Sequence, residues 1–202
     1  MSDPLDLKAI ERKAYTSRFR DGLWEISCGI TVLYWWGFAL LMDSGLGLDW
    51  RKWMPLALAV AFVPVAIIAR LRARVTAPRL GTVRPGPVRR KKLRTMGWVL
   101  SGLIAIQVVV VVLTSRGGMG LTGLLAPVMG GFIIFLPIAA IAFWNDFTRG
   151  FIYAALLGAT VSIYMVLSSW IPFAAVGGVI LLTGIVVFIR FLRDYPVPAD
   201  LT

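Results

Sequence analysis

Asp21 and Glu25 are the residues best placed to do chemistry. Four apart, they share one face of a helix, and two carboxylates at one membrane edge can hold a divalent cation or act as an acid and a base. Asp146 and Arg149 form a second small polar group at the same expected level. All four can equally close ion pairs, since carboxylates beside a dense basic segment tend to be paired. That segment runs from Arg70 to Arg94 and holds ten Lys and Arg with no acid. Within it Arg79, Arg84, Arg89, Arg90, Lys91, Lys92 and Arg94 are the candidates for gripping an anionic headgroup or a protein partner, at about 1 kcal/mol per basic residue near a membrane surface. No aromatic interleaves them, so nucleic acid is not an expected partner.

Deep in the apolar sequence the one strongly polar side chain is Gln107. Pro127, Gly130, Gly131 and Pro137 interrupt a single hydrophobic stretch, and broken helices of that kind line solute sites in transporters. These five residues are the candidates for a pore or ligand site. The alternatives are a proline kink and a hydrogen bond that joins two helices. Histidine is absent and cysteine occurs once, at Cys28. This removes His-based zinc and haem sites, Ser-His-Asp and Cys-His catalysis, and any intrachain disulfide. No catalytic residue, metal or cofactor is expected.

The elements that must position these residues follow from composition. Of 202 residues 58% are hydrophobic and 15% charged, and the mean hydropathy is +0.81. A soluble chain carries roughly 45–50% apolar and about 25% charged residues, and one of this size has no interior able to hide the surplus. The expected fold is all-α, a polytopic bundle of six membrane helices at Trp24–Met42, Trp53–Ala69, Met96–Leu113, Leu121–Phe143, Phe151–Trp170 and Ile171–Ile189. Each is close to the roughly 20 residues that a hydrocarbon core requires.

Charge sets the expected orientation. The 21 Lys and Arg against 10 Asp and Glu leave a net +11. With both termini cytoplasmic, only Arg51, Lys52 and Arg116 fall outside, which is the positive-inside pattern of a multi-pass inner-membrane protein. The chain then divides into an amphipathic interfacial segment (1–23), a first hairpin (24–69), a basic loop (70–95), a second hairpin (96–143), a short loop (144–150), a third hairpin (151–189) and a tail (190–202). Pro78, Pro85, Gly86 and Pro87 mark the basic loop as turn-rich. The acidic opening Met1–Asp6 lacks the apolar core of a cleavable leader, so the first span is expected to persist.

Lipid gives one helix no hydrophobic reason to prefer another, so contact faces are sought in small residues. Gly150, Ala154, Gly158 and Ser162 recur every four residues in the fifth span. Gly97, Ser101 and Ala105 repeat the device in the third, and Ala174 and Gly178 in the sixth. Such faces serve packing within the bundle or association with a second copy or another membrane protein. Tyr34, Trp35, Trp36, Trp50, Trp53 and Trp170 form an expected outer aromatic belt, with Trp24 and Trp144 at the inner boundary.

Three motifs carry a resemblance. Phe19-Arg20-Asp21-Gly22-Leu23-Trp24-Glu25, Thr76-x-Pro78-Arg79-Leu80-Gly81-x-Val83-Arg84 and Arg190-Phe191-Leu192-Arg193-Asp194-Tyr195-Pro196 resemble the corresponding segments of an uncharacterised prokaryotic six-span integral membrane family. Ala77 and Thr82 stand where that family commonly has an aromatic. The resemblance implies the six-span layout and groups the inner-face motifs, and it implies no reaction. The expected function is a non-enzymatic inner-membrane protein whose basic cytoplasmic face binds anionic lipid or a protein partner. The alternatives are a small-solute transporter or channel built on the fourth helix and Gln107, and a membrane enzyme acting on lipid headgroups.

Overall fold

The computed structural model describes residues 19, 21–45, 49–76, 79, 87–115 and 123–196. Among them every regular element is helical: α1 (Leu23–Asp43), α2 (Trp50–Ala61), α3 (Val63–Leu71), a wider π-type turn (Arg72–Thr76), α4 (Pro87–Ser115), α5 (Leu125–Trp144), α6 (Thr148–Leu167) and α7 (Ile171–Asp194). Six helical segments are long and apolar enough to cross a membrane, with α2, α3 and the π turn together making the second. This is the layout of a multi-pass membrane protein. The expected amphipathic helix up to residue 18, Arg84, and the last six residues of the tail lie outside the described residues.

The helices fall into two compact units. The first draws its described residues from Pro85–Ser169, the second from Ser17–Arg84 and Trp170–Thr202. Helix pairing therefore departs from hairpins taken in chain order. The most extensive contacts join α5 to α6 and α1 to α7, so the sixth span packs on the first.

In the first unit α5 and α6 approach backbone to backbone. A Cβ added at Gly131 would lie 2.7 Å from the Gly158 carbonyl and would also strike Ser162 Oγ. Tyr153, Ala154 and Leu157 of α6 are buried. The expected stripe of Gly150, Ala154, Gly158 and Ser162 thus packs, whereas Gly97, Ser101 and Ala105 of α4 are exposed. A tight turn, Asn145–Phe147, joins the two helices, with Asp146 in the left-handed region at φ 54°.

The fourth span is not broken. It runs as one helix from Leu125, which places Pro127 in the first turn and leaves Pro137 as the interior proline. First-turn N–H groups have no helical partner, so Pro127 costs the ladder nothing. The interruption lies instead in the second span at Phe62, between α2 and α3, with Pro64 opening the new helix.

In the second unit α1 and α7 meet on glycines. A Cβ at Gly29 would stand 2.6 Å from Leu181 N, and one at Gly184 2.7 Å from Ile26 N. On α7 the contacting residues are Gly177 and Gly184. A Cβ at Gly178, the expected contact, would meet nothing within 4 Å. Tyr34 of the expected aromatic belt donates from its hydroxyl to the Ala57 carbonyl at 2.9 Å, tying α1 to α2.

Two stretches expected as loop are helical. The chain continues past Ala69 through Leu71 and the π turn, and α4 begins at Pro87, so Arg89–Arg94 lie on a helix. Proline is well suited to a first helical position, where its fixed φ is already helical. It opens the helix that it was expected to prevent.

Candidate functional site

The second unit builds one polar cluster where α1 begins. Gly22, at φ 69°, turns the chain into the helix, and its Cα faces the Gly184 carbonyl and Phe188 N, where a Cβ would come within 2.5 and 2.8 Å. Asp21 is fully buried just before the N-cap residue Gly22, its Oδ1 accepting from Leu23 N–H at 3.1 Å. Arg72 then grips the same carboxylate with both arms of its fork, Nε to Oδ2 at 3.0 Å and Nη2 to Oδ1 at 3.1 Å. Thr76 Oγ1 donates to Oδ2 at 3.2 Å.

Arg72 and Thr76 are the first and last residues of the π turn, and being four apart they share the face that meets the Asp21 carboxylate. Sequence reasoning placed Arg72 in the basic segment without singling it out. Its spacing to Thr76 was the available signal. With Asp21 holding four hydrogen bonds, its oxygens are committed to protein donors, which argues against the divalent-cation and acid-base readings. Glu25, one turn on, is likewise fully buried. Among the described residues no group of three or more His, Cys, Asp or Glu stands together.

Arg79 lies three residues beyond Thr76. Its Nε and Nη1 are buried and make no hydrogen bond. A buried donor left unmade costs about 1–3 kcal/mol, and more for a charged group. Arginine cannot escape that cost by losing its proton.

The first unit holds the other candidates. Asp146 pairs with Lys92 at 3.6 Å, and the Arg149 guanidinium sits over the Phe147 ring, 5.7 Å from its centroid. The two polar groups expected at one level belong to different units, Asp21 and Glu25 to one, Asp146 and Arg149 to the other. Both aspartates are held by a basic residue of the Arg70–Arg94 segment. Ion pairing is what the geometry displays.

On α4 the basic residues are arranged by the helix. Arg90, Lys91 and Arg94 are exposed, Lys92 turns to Asp146, and Arg89 lies on the same turn. At 1.5 Å per residue the 29 residues of α4 span about 43 Å, against a hydrocarbon core of roughly 30 Å. The surplus is about nine residues, which matches the basic turns at its start.

The five candidates for a pore are engaged in packing. Gln107 Nε2 donates to the Ile133 carbonyl at 2.8 Å. That carbonyl is the one whose helical partner, four residues on, would be the N–H that Pro137 lacks. Gln107 therefore repairs the defect that Pro137 creates and joins α4 to α5 in the same bond. Pro127 is buried and its carbonyl accepts from Ser162 Oγ at 2.9 Å. Gly130 faces Met165 and Val161, and Gly131 faces Gly158. A groove of about 250 Å³ does lie along α5 and α6, lined by Val128, Phe132, Phe135, Ala155, Ala159 and the Gly131–Gly158–Ser162 seam. Its lining is apolar except for a hydroxyl already bonded, so it suits an acyl chain better than a polar solute. Cys28 is half-buried with a free thiol.

No protein-family description, curated protein or solved structure matches the chain.

Proposed function

We propose that this is a non-enzymatic protein of the inner membrane whose cytoplasmic basic face holds anionic phospholipid headgroups. The observation that carries the reading is the overlong α4. Its first turns project past the hydrocarbon as a rigid helix and present Arg90, Lys91 and Arg94 to the surroundings. At about 1 kcal/mol per basic residue near an anionic surface, three such side chains favour anionic over neutral lipid by about 3 kcal/mol. Neither aspartate that pairs with the basic segment has an oxygen arrangement that asks for a metal, and the groove of the first unit lacks polar groups. Both features weigh against the headgroup enzyme and the solute transporter.

The test is lipid retention. Purified protein in detergent, exposed to equal phosphatidylglycerol and phosphatidylcholine, should retain the anionic lipid preferentially by native mass spectrometry. An Arg90→Ala/Lys91→Ala/Arg94→Ala variant should insert and fold normally yet lose most of that preference. Unchanged selectivity in the triple variant counts against the proposal and in favour of a protein partner for this face.

A further inference from the structure

Arg79 is half-buried, and two of its donors, Nε and Nη1, are buried with no hydrogen bond among the described residues. Native proteins leave few such groups without a partner, and each orphan calls for an explanation, a bound ion or ligand among them. Neither buried carboxylate of this unit answers Arg79: both oxygens of Asp21 are committed to Arg72, Thr76 and the Leu23 N–H, and Glu25, fully buried one turn on, makes no hydrogen bond to it. Among the described residues no carboxylate forms an ion pair with Arg79.

Its position names the missing acceptor. The apolar segment Lys52–Thr76 ends three residues before Arg79. Its 25 residues reach about 37 Å as a helix, enough to cross the hydrocarbon and end in the headgroup layer. The anion concentrated at that depth is phosphate. Guanidinium is the side chain best matched to it, with a planar fork, permanent charge and weak hydration.

We propose that the Arg79 guanidinium anchors a phosphate-binding site at the membrane edge of the second unit, taking the phosphate of an anionic phospholipid headgroup or of a phosphorylated solute. The site deepens the lipid reading above and rests on it only in needing headgroup-level phosphate. It does not depend on the basic turns of α4.

The experiment uses the full chain in detergent with two readouts, native mass spectrometry after stringent delipidation and the thermal midpoint followed by tryptophan fluorescence. The probes are phosphatidylglycerol, phosphatidylcholine and inorganic phosphate. Wild type should keep one anionic lipid that survives delipidation and should be stabilised by phosphatidylglycerol. Arg79→Gln should bind it about tenfold more weakly, the loss of one charge-assisted contact. The Arg90→Ala/Lys91→Ala/Arg94→Ala variant should keep that one lipid while losing looser ones, so the two proposals fail separately. Stabilisation by millimolar inorganic phosphate, abolished in Arg79→Gln, would assign the site to a soluble phosphate. If Arg79→Gln does not fold, Arg79→Lys keeps the charge without the fork and should bind several-fold more weakly. Wild-type binding in either variant overturns the site. So does recovery of wild-type stability in Arg79→Gln/Glu25→Gln without added phosphate, which would make Glu25 the counter-ion.

Discussion

The bond from Gln107 to the Ile133 carbonyl can be isolated by a double-mutant cycle with Pro137. In the wild type the carbonyl has lost its helical N–H to proline, and Gln107 Nε2 at 2.8 Å is its replacement donor. Hydrogen bonds between membrane helices average about 0.6 kcal/mol, with values near 1.7 at the top of the range. This one belongs near the top, because its loss leaves an acceptor with no other donor in lipid. Gln107→Met, similar in volume, should therefore cost about 1.5 kcal/mol, roughly tenfold in the unfolding equilibrium. Pro137→Ala returns an N–H to the carbonyl, and in that background Gln107→Met should cost about 0.5 kcal/mol. The expected coupling is about 1 kcal/mol, well above the error usual for such cycles. Reversible unfolding in mixed micelles or by steric trapping measures all four corners. Equal costs of Gln107→Met in the two backgrounds would refute the view that the glutamine repairs the proline.

Two further predictions follow the same logic of named contacts. Gly131→Ala, whose Cβ would meet the Gly158 carbonyl at 2.7 Å, should destabilise the α5–α6 pair by about 2 kcal/mol, because backbone cannot step aside as a side chain does. Gly178→Ala and Gly97→Ala, with open space at the added methyl, should be neutral or slightly stabilising, all three being compared by reversible unfolding in mixed micelles. At the α1 cluster the Asp21 side chain is 0% exposed and that of Arg72 19%, so removing Arg72 strands the more deeply buried charge. Arg72→Ala should cost about 3 kcal/mol, Thr76→Val about 1 kcal/mol, and Arg72→Lys should recover only part of the loss, since an ammonium cannot make both bonds. A lysine variant as stable as the wild type would show that charge alone suffices there.

How much of this was legible beforehand can be judged from single residues. Asp21 was visible as a polar residue at a membrane edge, and its pairing with the basic segment was among the open readings. Arg72 as the partner was not visible, because the two residues stand 51 apart in the chain and any of several cations could have reached the carboxylate. Gln107 was visible as the one polar side chain within a span, but its acceptor lies 26 residues on. The stripe on α6 packs against α5, whereas the similar stripe on α4 is exposed. Gly97, Ser101 and Ala105 have the same spacing, and among the described residues no helix covers them. Arg79 was chosen as one cation among many, and only its buried, unbonded nitrogens set it apart.

Sequence by itself determined that the chain is helical and crosses a membrane six times. Hydropathy and length are local properties, and bilayer thickness converts them directly into spans. Tertiary structure alone decided which helices pair, which glycines touch, where the second span breaks and which arginine holds Asp21. The physical reason lies in the solvent. A helix in water displays an apolar stripe that shows which face is inward, whereas these helices are apolar all round. Lipid does not distinguish the faces, so the choice falls to close backbone approach and to a handful of hydrogen bonds between residues far apart in the chain.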